Sequence, residues 1–491
     1  MEPGHRDDVD VLIVGAGISG ISAAYHLQTS CPNKTYAILE GRESLGGTWD
    51  LFRYPGIRSD SDMYTLGFSF RPLTNPKAIA DGASILAYVR DTAEAYGIDR
   101  KIRYGHRVVR ARWSSTDARW TVEARTPGEP GKTVQITCKF LLMCAGYYDY
   151  EEGYTPDLAG RERFRGRIVH PQKWSRDVEY EGKRVVVIGS GATAVTLVPE
   201  LAKRAAHVTM LQRSPTYILS IPERDPIANW MREHLPSHLA YSMARFKNVA
   251  LAMAIYTYCR RFPKHAKSII VGRVRKSLRG KSDVQAHFTP SYKPWDQRLC
   301  LVPNGDLFKA VREGRASVVT DHIDTLTETG IKLRSGAELE ADLIVTATGL
   351  KLVFMGGLDV EVDGRRILPS ETMTYKGMMS SDVPNLAFAI GYTNASWTLK
   401  CDLTSQYVCR LLNYMDAHGY TRCCPRRKDP ALQEMPLLDF SSGYVQRSIE
   451  KFPRQGSFAP WRLYQNYALD RMLLKHSRLD DPGMEFRGSN P

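Results

Sequence analysis

Two glycine-rich turns, each lying between an apolar segment and a helix-like segment, constrain the fold of this chain most. The first turn is Gly15–Gly20 (GAGISG), directly after the apolar run Val9–Val14. The second is Gly189–Ala194 (GSGATA), after Arg184–Ile188. A turn of this spacing between a strand and a helix lets the backbone approach a dinucleotide diphosphate, which then faces the N–H groups of the helix. The sequence therefore predicts an α/β fold with two Rossmann-like dinucleotide-binding domains.

The residue after the second strand of each unit indicates which dinucleotide binds. Glu40 follows the apolar run Tyr36–Leu39 and can accept hydrogen bonds from a ribose diol, which suits FAD. The equivalent position of the second unit carries Arg213, which favours the 2′-phosphate of NADPH, although a simple surface role is the alternative. The FAD contacts predicted from the first unit are Gly15, Gly17, Ser19, Gly20 and Glu40. The predicted NADP contacts are Gly189, Ser190, Gly191, Ala192, Thr193, Ala194, Val195, Arg213 and Ser214.

The length of 491 residues, at about 150 residues per domain, suggests roughly three domains. We predict a discontinuous FAD-binding domain from residues 1–150 and 351–491. Residues 151–215 and 295–349 are predicted to form the NADPH-binding domain, and residues 216–294 a helical insert. The polar tail 480–491 is predicted to be disordered.

The positive charge of the chain is concentrated in one segment. The net charge is +14, and residues 241–281 contain eleven Lys or Arg and no acid, so the rest of the chain carries 14 − 11 = +3. Two interpretations stay open, a solvated helical face and peripheral contact with anionic lipid or an acidic partner. No nucleic-acid-binding motif accompanies the charge, so we predict no nucleic-acid partner.

The cysteines and the N-terminus bear on the cell compartment. The nine cysteines include no C-x2-C pair, which predicts free thiols and no metal site. The first residues lack the basic and apolar regions of a signal peptide, so a cytoplasmic location is expected, with peripheral membrane contact as an addition.

Glycine turns alone fit several flavoprotein chemistries. A disulfide reductase needs a reactive cysteine pair, but Cys138 and Cys144 are six residues apart within a predicted strand. An NADPH dehydrogenase that passes electrons to a carrier is not excluded by the turns. A monooxygenase must in addition exclude water and stabilise negative charge on oxygen.

A further motif narrows this choice. Phe164, Gly166, His170 and Trp174 have the spacing F-x-G-x3-H-x3-W, and the chain also contains GGTW at Gly46–Trp49. In these motifs the chain resembles the type I Baeyer–Villiger monooxygenases. The resemblance implies FAD and NADPH as cofactors. It also implies the conversion of ketones into esters or lactones with O2, and the same site could oxygenate sulfides or thioamides.

The resemblance also implies the catalytic residues. Arg298 matches the family arginine over the flavin, which would stabilise the anions formed during oxygen transfer, and Asp60 matches its carboxylate partner. A cap for the segment 61–66 is the alternative role for Asp60. Many family members have Lys before this arginine, where this chain has Gln297. Further predicted FAD contacts are Gly47, Thr48, Trp49, Asp50, Leu51, Asp60 and Val108, and further NADP contacts are Arg58 and Ser59.

His170 could act as a general base, but a structural role between the domains is the preferred hypothesis. Trp397 and Tyr392 are candidates for the substrate pocket wall, and core packing explains them equally well. Two functional alternatives stay open. One is a flavin monooxygenase restricted to S- or N-oxygenation, and the other is a flavin-bound sensor or scaffold with negligible turnover.

Overall fold

The computed structural model of the protein describes residues 7–72, 76–127, 133–438 and 440–488. The first six and the last three residues of the predicted FAD-binding segments thus lie outside the described residues. The α-helices within these ranges are α1 (Ile18–Ser30), α2 (Thr48–Leu51), α3 (Met63–Leu66), α4 (Gly82–Ala95), α5 (Ala192–Leu201), α6 (Pro226–His234), α7 (Ser237–Arg261), α8 (Pro263–Leu278), α9 (Val284–Phe288), α10 (Asp306–Arg312), α11 (Trp397–Ala417), α12 (Gly443–Gln446) and α13 (Tyr467–His476).

The larger sheet has nine strands around the first glycine turn. Its strands follow the order Arg365–Ile367, Asp359–Val362, Arg107–Ser114, Arg119–Arg125, Thr133–Met143, Asp7–Val14, Tyr36–Leu39 and Ile102–Arg103, with Leu386–Phe388 also paired to Thr133–Met143. The first strand of the chain lies between two parallel neighbours, and Val11, Leu12 and Ile13 are fully buried. A continuous apolar run is typical of such a strand, because helices or loops cover both of its faces.

The smaller sheet has five parallel strands around the second turn. Its order is Ala316–Thr320, His207–Gln212, Arg184–Ile188, Leu343–Thr346 and Arg167–Val169. Alternate residues of Arg184–Ile188 point to opposite faces, so Val185 and Val187 join one apolar cluster and Val186 and Ile188 another. The two dinucleotide units of the sequence therefore belong to two separate sheets, the larger one mixed and the smaller one parallel, each with a glycine turn after the carboxyl end of a central strand.

Shorter strands complete the described structure. They pair as Ile218–Ile221 with Cys300–Pro303, Ile323–Leu326 with Gly330–Leu333 and Glu338–Glu340, Leu350–Leu352 with Tyr148–Gly153, Thr374–Tyr375 with Met379–Ser380, Glu434–Pro436 with Arg454–Gly456, and Tyr420–Pro425 with Met484–Gly488.

Helices α6 to α9 follow the strand Ile218–Ile221 and pack beside both sheets. Helix α7 contacts α3 beside the first sheet, whereas α8 contacts α10 beside the second sheet. Among the described helices, none combines the length and the apolar character that a membrane-crossing segment needs.

The structure contradicts the predicted disorder of the tail. Met484–Gly488 pairs in antiparallel fashion with Tyr420–Pro425. Met484 is buried and the ring of Phe486 stacks on that of Tyr420, with 5.1 Å between centroids. The two apolar side chains thus give this polar segment enough buried surface to be ordered, while residues 489–491 lie outside the described residues.

Candidate active site

One cavity of about 1050 Å³ brings the two glycine turns together. Predicted residues of the first unit that line it are Gly15, Gly17, Ser19, Glu40, Gly47, Thr48, Trp49, Arg58, Ser59, Asp60 and Val108. Those of the second unit are Gly189, Ser190, Gly191, Ala192, Thr193, Arg213 and Ser214, and Arg298 lines the same cavity. The cavity therefore contains every charged side chain predicted to act on a cofactor or substrate except that of Asp50.

The first turn is held together by close backbone contacts. A Cβ atom on Gly20 would lie 1.9 Å from the carbonyl oxygen of Gly15, so only glycine lets α1 start this close to the strand. Glu40 fixes the same turn, because its carboxylate accepts hydrogen bonds from the backbone N–H of Ala16 (2.7 Å) and Arg42 (3.0 Å). Burial raises the pKa of Glu40, and these N–H groups oppose that effect.

The helices that follow the two turns begin without side-chain caps. Gly17 and Gly191 stand at the N-terminal ends of α1 and α5, and no side chain accepts a hydrogen bond from the first turn of either helix. Several other helices also begin without a side-chain cap, whereas α3, α4, α6 and α9 are capped by the carboxylates of Asp62, Asp81, Asp225 and Asp283. The N–H groups of α1 and α5 are thus left for an anion, which fits the diphosphate of a dinucleotide.

Asp60 does not cap a helix in this structure. Helix α3 begins after Asp62, whose carboxylate accepts from the backbone N–H of Thr65. The alternative prediction, that Asp60 is the cap, is therefore wrong, because the cap is Asp62, two residues later. The carboxylate of Asp60 is left for another partner.

That partner is Arg298. The Nε atom of Arg298 lies 2.7 Å from Oδ2 of Asp60, with about one third of each side chain exposed to the cavity (31% and 34%). The Asp60 carboxylate raises the pKa of Arg298, so the guanidinium carries its charge at every physiological pH. The two residues are distant in sequence, and the structure joins them on the cavity wall.

Aromatic side chains surround this ion pair. Tyr147, Tyr444 and Trp397 line the cavity with Arg298, and the rings of Tyr147 and Trp397 stack with 4.9 Å between centroids. The indole of Trp397 donates a hydrogen bond to Ser19 Oγ (2.9 Å), which ties the wall to helix α1. Burial raises the pKa values of Tyr147 and Tyr444, so both phenols stay neutral. The surroundings of Arg298 are thus largely apolar and neutral.

Tyr392 also lines the cavity. Its hydroxyl donates to Asp470 (2.6 Å), and Lys400 Nζ lies 2.9 Å from the same carboxylate oxygen. This buried network fixes one wall of the cavity from α11 and α13, so the candidate residues Trp397 and Tyr392 are both placed on it.

Two of the predicted FAD contacts lie behind the cavity wall. Asp50 is 1% exposed, and its carboxylate accepts from Arg42 (2.7 Å), Ser44 (2.6 Å) and Arg53 (2.8 Å). It therefore holds the Gly46–Leu51 loop in shape instead of facing the cavity, and Leu51 packs against the core of the second sheet.

Three further predicted contacts are packing residues. Gly20, Ala194 and Val195 are buried in α1 and α5, where they face the adjacent strands. They bring the helices close to the sheets, and the cavity lining comes from their neighbours in the turns.

Arg58 and Ser59 line the cavity but already have protein partners. The guanidinium of Arg58 lies 2.5 Å from the carboxylate of Asp306. This ion pair joins the segment before α3 to the start of α10, beside the smaller sheet. The hydroxyl of Ser59 donates to the carbonyl oxygen of Ser61 (2.7 Å).

A second arginine stands near Arg213 and was missed by the sequence patterns. Arg447, directly after α12, lines the cavity with Arg213 and lies over the ring of Tyr154, 3.5 Å from its centroid. Burial lowers the pKa of Arg447 most strongly, and the nearby charge of Arg213 lowers it further. Neither arginine has a carboxylate partner among the described residues, so two unbalanced positive charges face the same space. A search for basic residues opposite the second turn could have found Arg447.

The motif residues Phe164, Gly166, His170 and Trp174 do not line the cavity. They lie at one junction, between the smaller sheet and the segment that follows it. The Nε2 atom of His170 donates to the carbonyl oxygen of Gly349 (3.2 Å), and its Nδ1 atom accepts from the N–H of Gln172 (3.2 Å). The bond accepted by Nδ1 needs the neutral ring, and burial lowers the pKa of His170, although the bond to Gly349 opposes that effect.

The aromatic members of the motif pack on opposite faces of the smaller sheet. Phe164 belongs to the cluster of Val186 and Ile188, whereas Trp174 packs against the cluster of Val185. The motif therefore contacts both faces of this sheet, and His170 forms a hydrogen bond with the segment that follows the sheet.

Comparison with known proteins decides the family. The family described as flavin-binding monooxygenase-like matches residues 8–412. The chain belongs to this family. It is 56% identical over 481 residues to the FAD-containing monooxygenase EthA of Mycobacterium tuberculosis, with 98% of each chain covered. It is also 48% identical to the probable FAD-binding monooxygenase AlmA of Acinetobacter baylyi, with 97% of this chain and 96% of that protein covered.

Solved structures share the fold. A steroid monooxygenase bound to NADP matches with a TM-score of 0.75 and 20% identity over 98% of this chain and 99% of that chain. An open structure of cyclohexanone monooxygenase matches with a TM-score of 0.73 and 20% identity, covering 98% and 100%. The predicted fold class and the prediction of a flavin monooxygenase are thus confirmed.

Proposed function

We propose that the protein is an FAD- and NADPH-dependent Baeyer–Villiger monooxygenase that converts ketones into esters or lactones with O2. Sulfides and thioamides are further substrates of the same site. The observation that carries this proposal is the position of the Arg298–Asp60 pair, in the cavity that also contains both uncapped glycine turns.

The FAD side of the cavity is formed by the first unit. The N-terminus of α1 would hold the diphosphate, Glu40 the ribose, and Val108 the adenine. Thr48 and Trp49, which line the cavity directly after Gly47, would hold the flavin end. We assign the segments 1–150 and 351–491 to this domain.

The NADPH side is formed by the second unit. The N-terminus of α5 would hold the diphosphate, and Arg213 with Ser214 the 2′-phosphate. Arg447 supplies a second positive charge there, which offsets the absence of a lysine at Gln297. We assign the segments 151–215 and 295–349 to this domain and the segment 216–294 to the helical insert.

Bound NADPH would supply a hydride, and bound FAD would supply the site of oxygen activation. Arg298 holds a permanent positive charge where oxygen transfer develops negative charge, and Asp60 orients the guanidinium through Nε. The neutral aromatic wall of Tyr147, Trp397 and Tyr444 excludes water, so the charge of Arg298 acts in a medium of low polarity.

The direct test is product analysis of the purified protein with a panel of aliphatic and cyclic ketones and one thioether. NADPH and NADH are supplied in parallel, and oxygen consumption is recorded. Ester or lactone formed with NADPH supports the proposal. Sulfoxide without any ester would instead favour the monooxygenase restricted to S- or N-oxygenation. NADPH oxidation without oxygenated product would favour a dehydrogenase, and the absence of turnover a sensor or scaffold.

A further inference from the structure

The large apolar side chains on the described surface are concentrated on three consecutive helices. Helices α6, α7 and α8, with the residue that joins α7 to α8, carry nine of the thirteen large apolar residues that are exposed. These nine residues, which we call the apolar face, are Ile227, Trp230, Leu239, Met243, Phe246, Leu251, Ile255, Phe262 and Ile269. Phe246 is the most exposed of them at 73%. Such a concentration on one part of a soluble protein marks an interaction surface.

The same helices carry most of the net positive charge. Four of the eleven cations between residues 241 and 281 are bound within the protein, as in the pairs Lys247–Asp225 and Arg260–Asp296. The other seven are exposed and form no ion pair with a described residue. These seven, which we call the basic set, are Arg261, Lys264, Arg273, Arg275, Lys276, Arg279 and Lys281.

We propose that the apolar face and the basic set together dock the protein on the surface of an anionic membrane. Aromatic and aliphatic side chains next to lysine and arginine are the composition of helices that lie in the plane of a lipid interface. None of the described helices can cross the bilayer, so their contact is limited to the interface.

Charge decides between a membrane and a second copy of the chain as the occupant of this surface. In a two-fold symmetric dimer the same patch meets itself, so the basic set of one copy, which comes from a segment (residues 241–281) without any acid, would face that of the other. An anionic lipid surface instead supplies the missing negative charge along the whole patch.

Helix α7 connects this surface with the cavity. Its buried residue Val249 packs with Tyr392 and Leu399, and Tyr392 lines the cavity beside Arg298. Docking therefore places the cavity wall close to the interface, where apolar ketones accumulate. This last consequence rests on the proposed function, whereas the docking itself does not.

The proposal is tested by sedimentation of the purified enzyme with vesicles. One set contains phosphatidylcholine alone, and the other contains phosphatidylcholine with phosphatidylglycerol. We expect binding to the mixed vesicles only, and binding that weakens as salt is added. The double variant Arg275→Glu/Lys276→Glu should bind at least about 30-fold more weakly, since each cation near the surface contributes about fivefold. Phe246→Glu should also lose binding, because it places a charge where the apolar face enters the interface.

Met472→Glu is the matched control, since Met472 is equally apolar and 57% exposed on α13, outside the apolar face. It should bind vesicles as the unchanged protein does. Oxidation of NADPH with a water-soluble ketone shows for each variant that the protein is folded, independently of lipid. Equal binding to both vesicle types, no binding to either, or a dimer that Phe246→Glu dissociates would overturn the proposal.

Discussion

The His170 junction gives the sharpest test of how the NADPH side controls the reaction. His170 packs directly on Gly153, the last residue of the strand Tyr148–Gly153. A Cβ atom on Gly153 would lie 1.9 Å from Cε1 and 2.3 Å from Nε2 of the ring. The substitution Gly153→Ala must therefore push the ring aside by about 1.5 Å to restore an ordinary contact distance.

That displacement breaks both hydrogen bonds of the ring, since each already measures 3.2 Å. A net contribution of about 0.5–1.5 kcal/mol for each bond predicts a loss of about 1–3 kcal/mol at the junction. Because Gly349 belongs to the segment that follows the smaller sheet, we expect the two sheets to lose their fixed orientation relative to each other. NADPH oxidation should continue while less oxygen reaches the substrate, which is measured as product and hydrogen peroxide formed per NADPH consumed.

A double-mutant cycle separates the His170 contact from other effects of the added methyl group. In the His170→Ala background the imidazole is gone and the methyl group added by Gly153→Ala has room, so this second substitution should have no further effect on coupling. Gly272→Ala is the matched control, because nothing lies within 4 Å of its added Cβ atom on α8. Equal and additive losses from Gly153→Ala with and without the imidazole would refute the assignment to His170.

Two further predictions concern the cavity, and a third concerns His170. Arg298→Ala should leave flavin reduction by NADPH intact in stopped-flow absorbance but lower ketone oxygenation by about 10²–10³-fold; an unchanged oxygenation rate would contradict the role of the guanidinium. Arg447→Ala should raise the KM for NADPH by about 10–150-fold, corresponding to one charge-assisted hydrogen bond of about 1.5–3 kcal/mol, with little change for NADH; parallel changes for both nucleotides would place Arg447 elsewhere. The pKa of His170 is lowered by burial, so the unfolded chain takes up the proton first and stability falls as the pH drops below about 6.5. In thermal melts this loss should be smaller for His170→Asn, and an identical pH dependence would show that the ring is not neutral in the fold.

The elements that the sequence predicted well are those whose residues are contiguous. The runs Tyr36–Leu39 and Arg184–Ile188 form strands with the predicted bounds. Each run is apolar almost throughout because both faces of a parallel strand are covered, and a glycine turn nearby marks the edge of the sheet where a ligand binds. Such local patterns are sufficient to predict two dinucleotide units and their order in the chain.

Contacts between distant segments could not be predicted in this way. The carboxylate of Asp306 binds Arg58, 248 residues away, and nothing near either residue in the sequence indicates the pair. Asp50 directly follows the GGTW motif, as a cofactor-binding residue would, but its buried carboxylate pairs with Arg42 and Arg53 instead. Arg447 follows a segment without any dinucleotide pattern, so only the fold brings it to Arg213.

The position of Arg298 depends on helix α7 as well as on the strand Cys300–Pro303 that follows it. The loop that carries this arginine begins at Trp295, whose φ of +71° is a conformation that few non-glycine residues adopt. Contacts with α7 hold this conformation, since the rings of Trp295 and Tyr256 meet edge to face at 5.5 Å and Asp296 pairs with Arg260 at 2.7 Å.

One helix thus carries exposed apolar residues and, near its C-terminal end, supports the loop of Arg298. A shift of α7 on a membrane surface would move Trp295 and Asp296, and Arg298 lies only two residues beyond. Substituting Arg260 should therefore lower ketone oxygenation although the residue does not line the cavity, because it removes one of the two contacts described between α7 and the loop. Full oxygenation activity in Arg260→Ala would show that the contact with α7 is not needed to position Arg298.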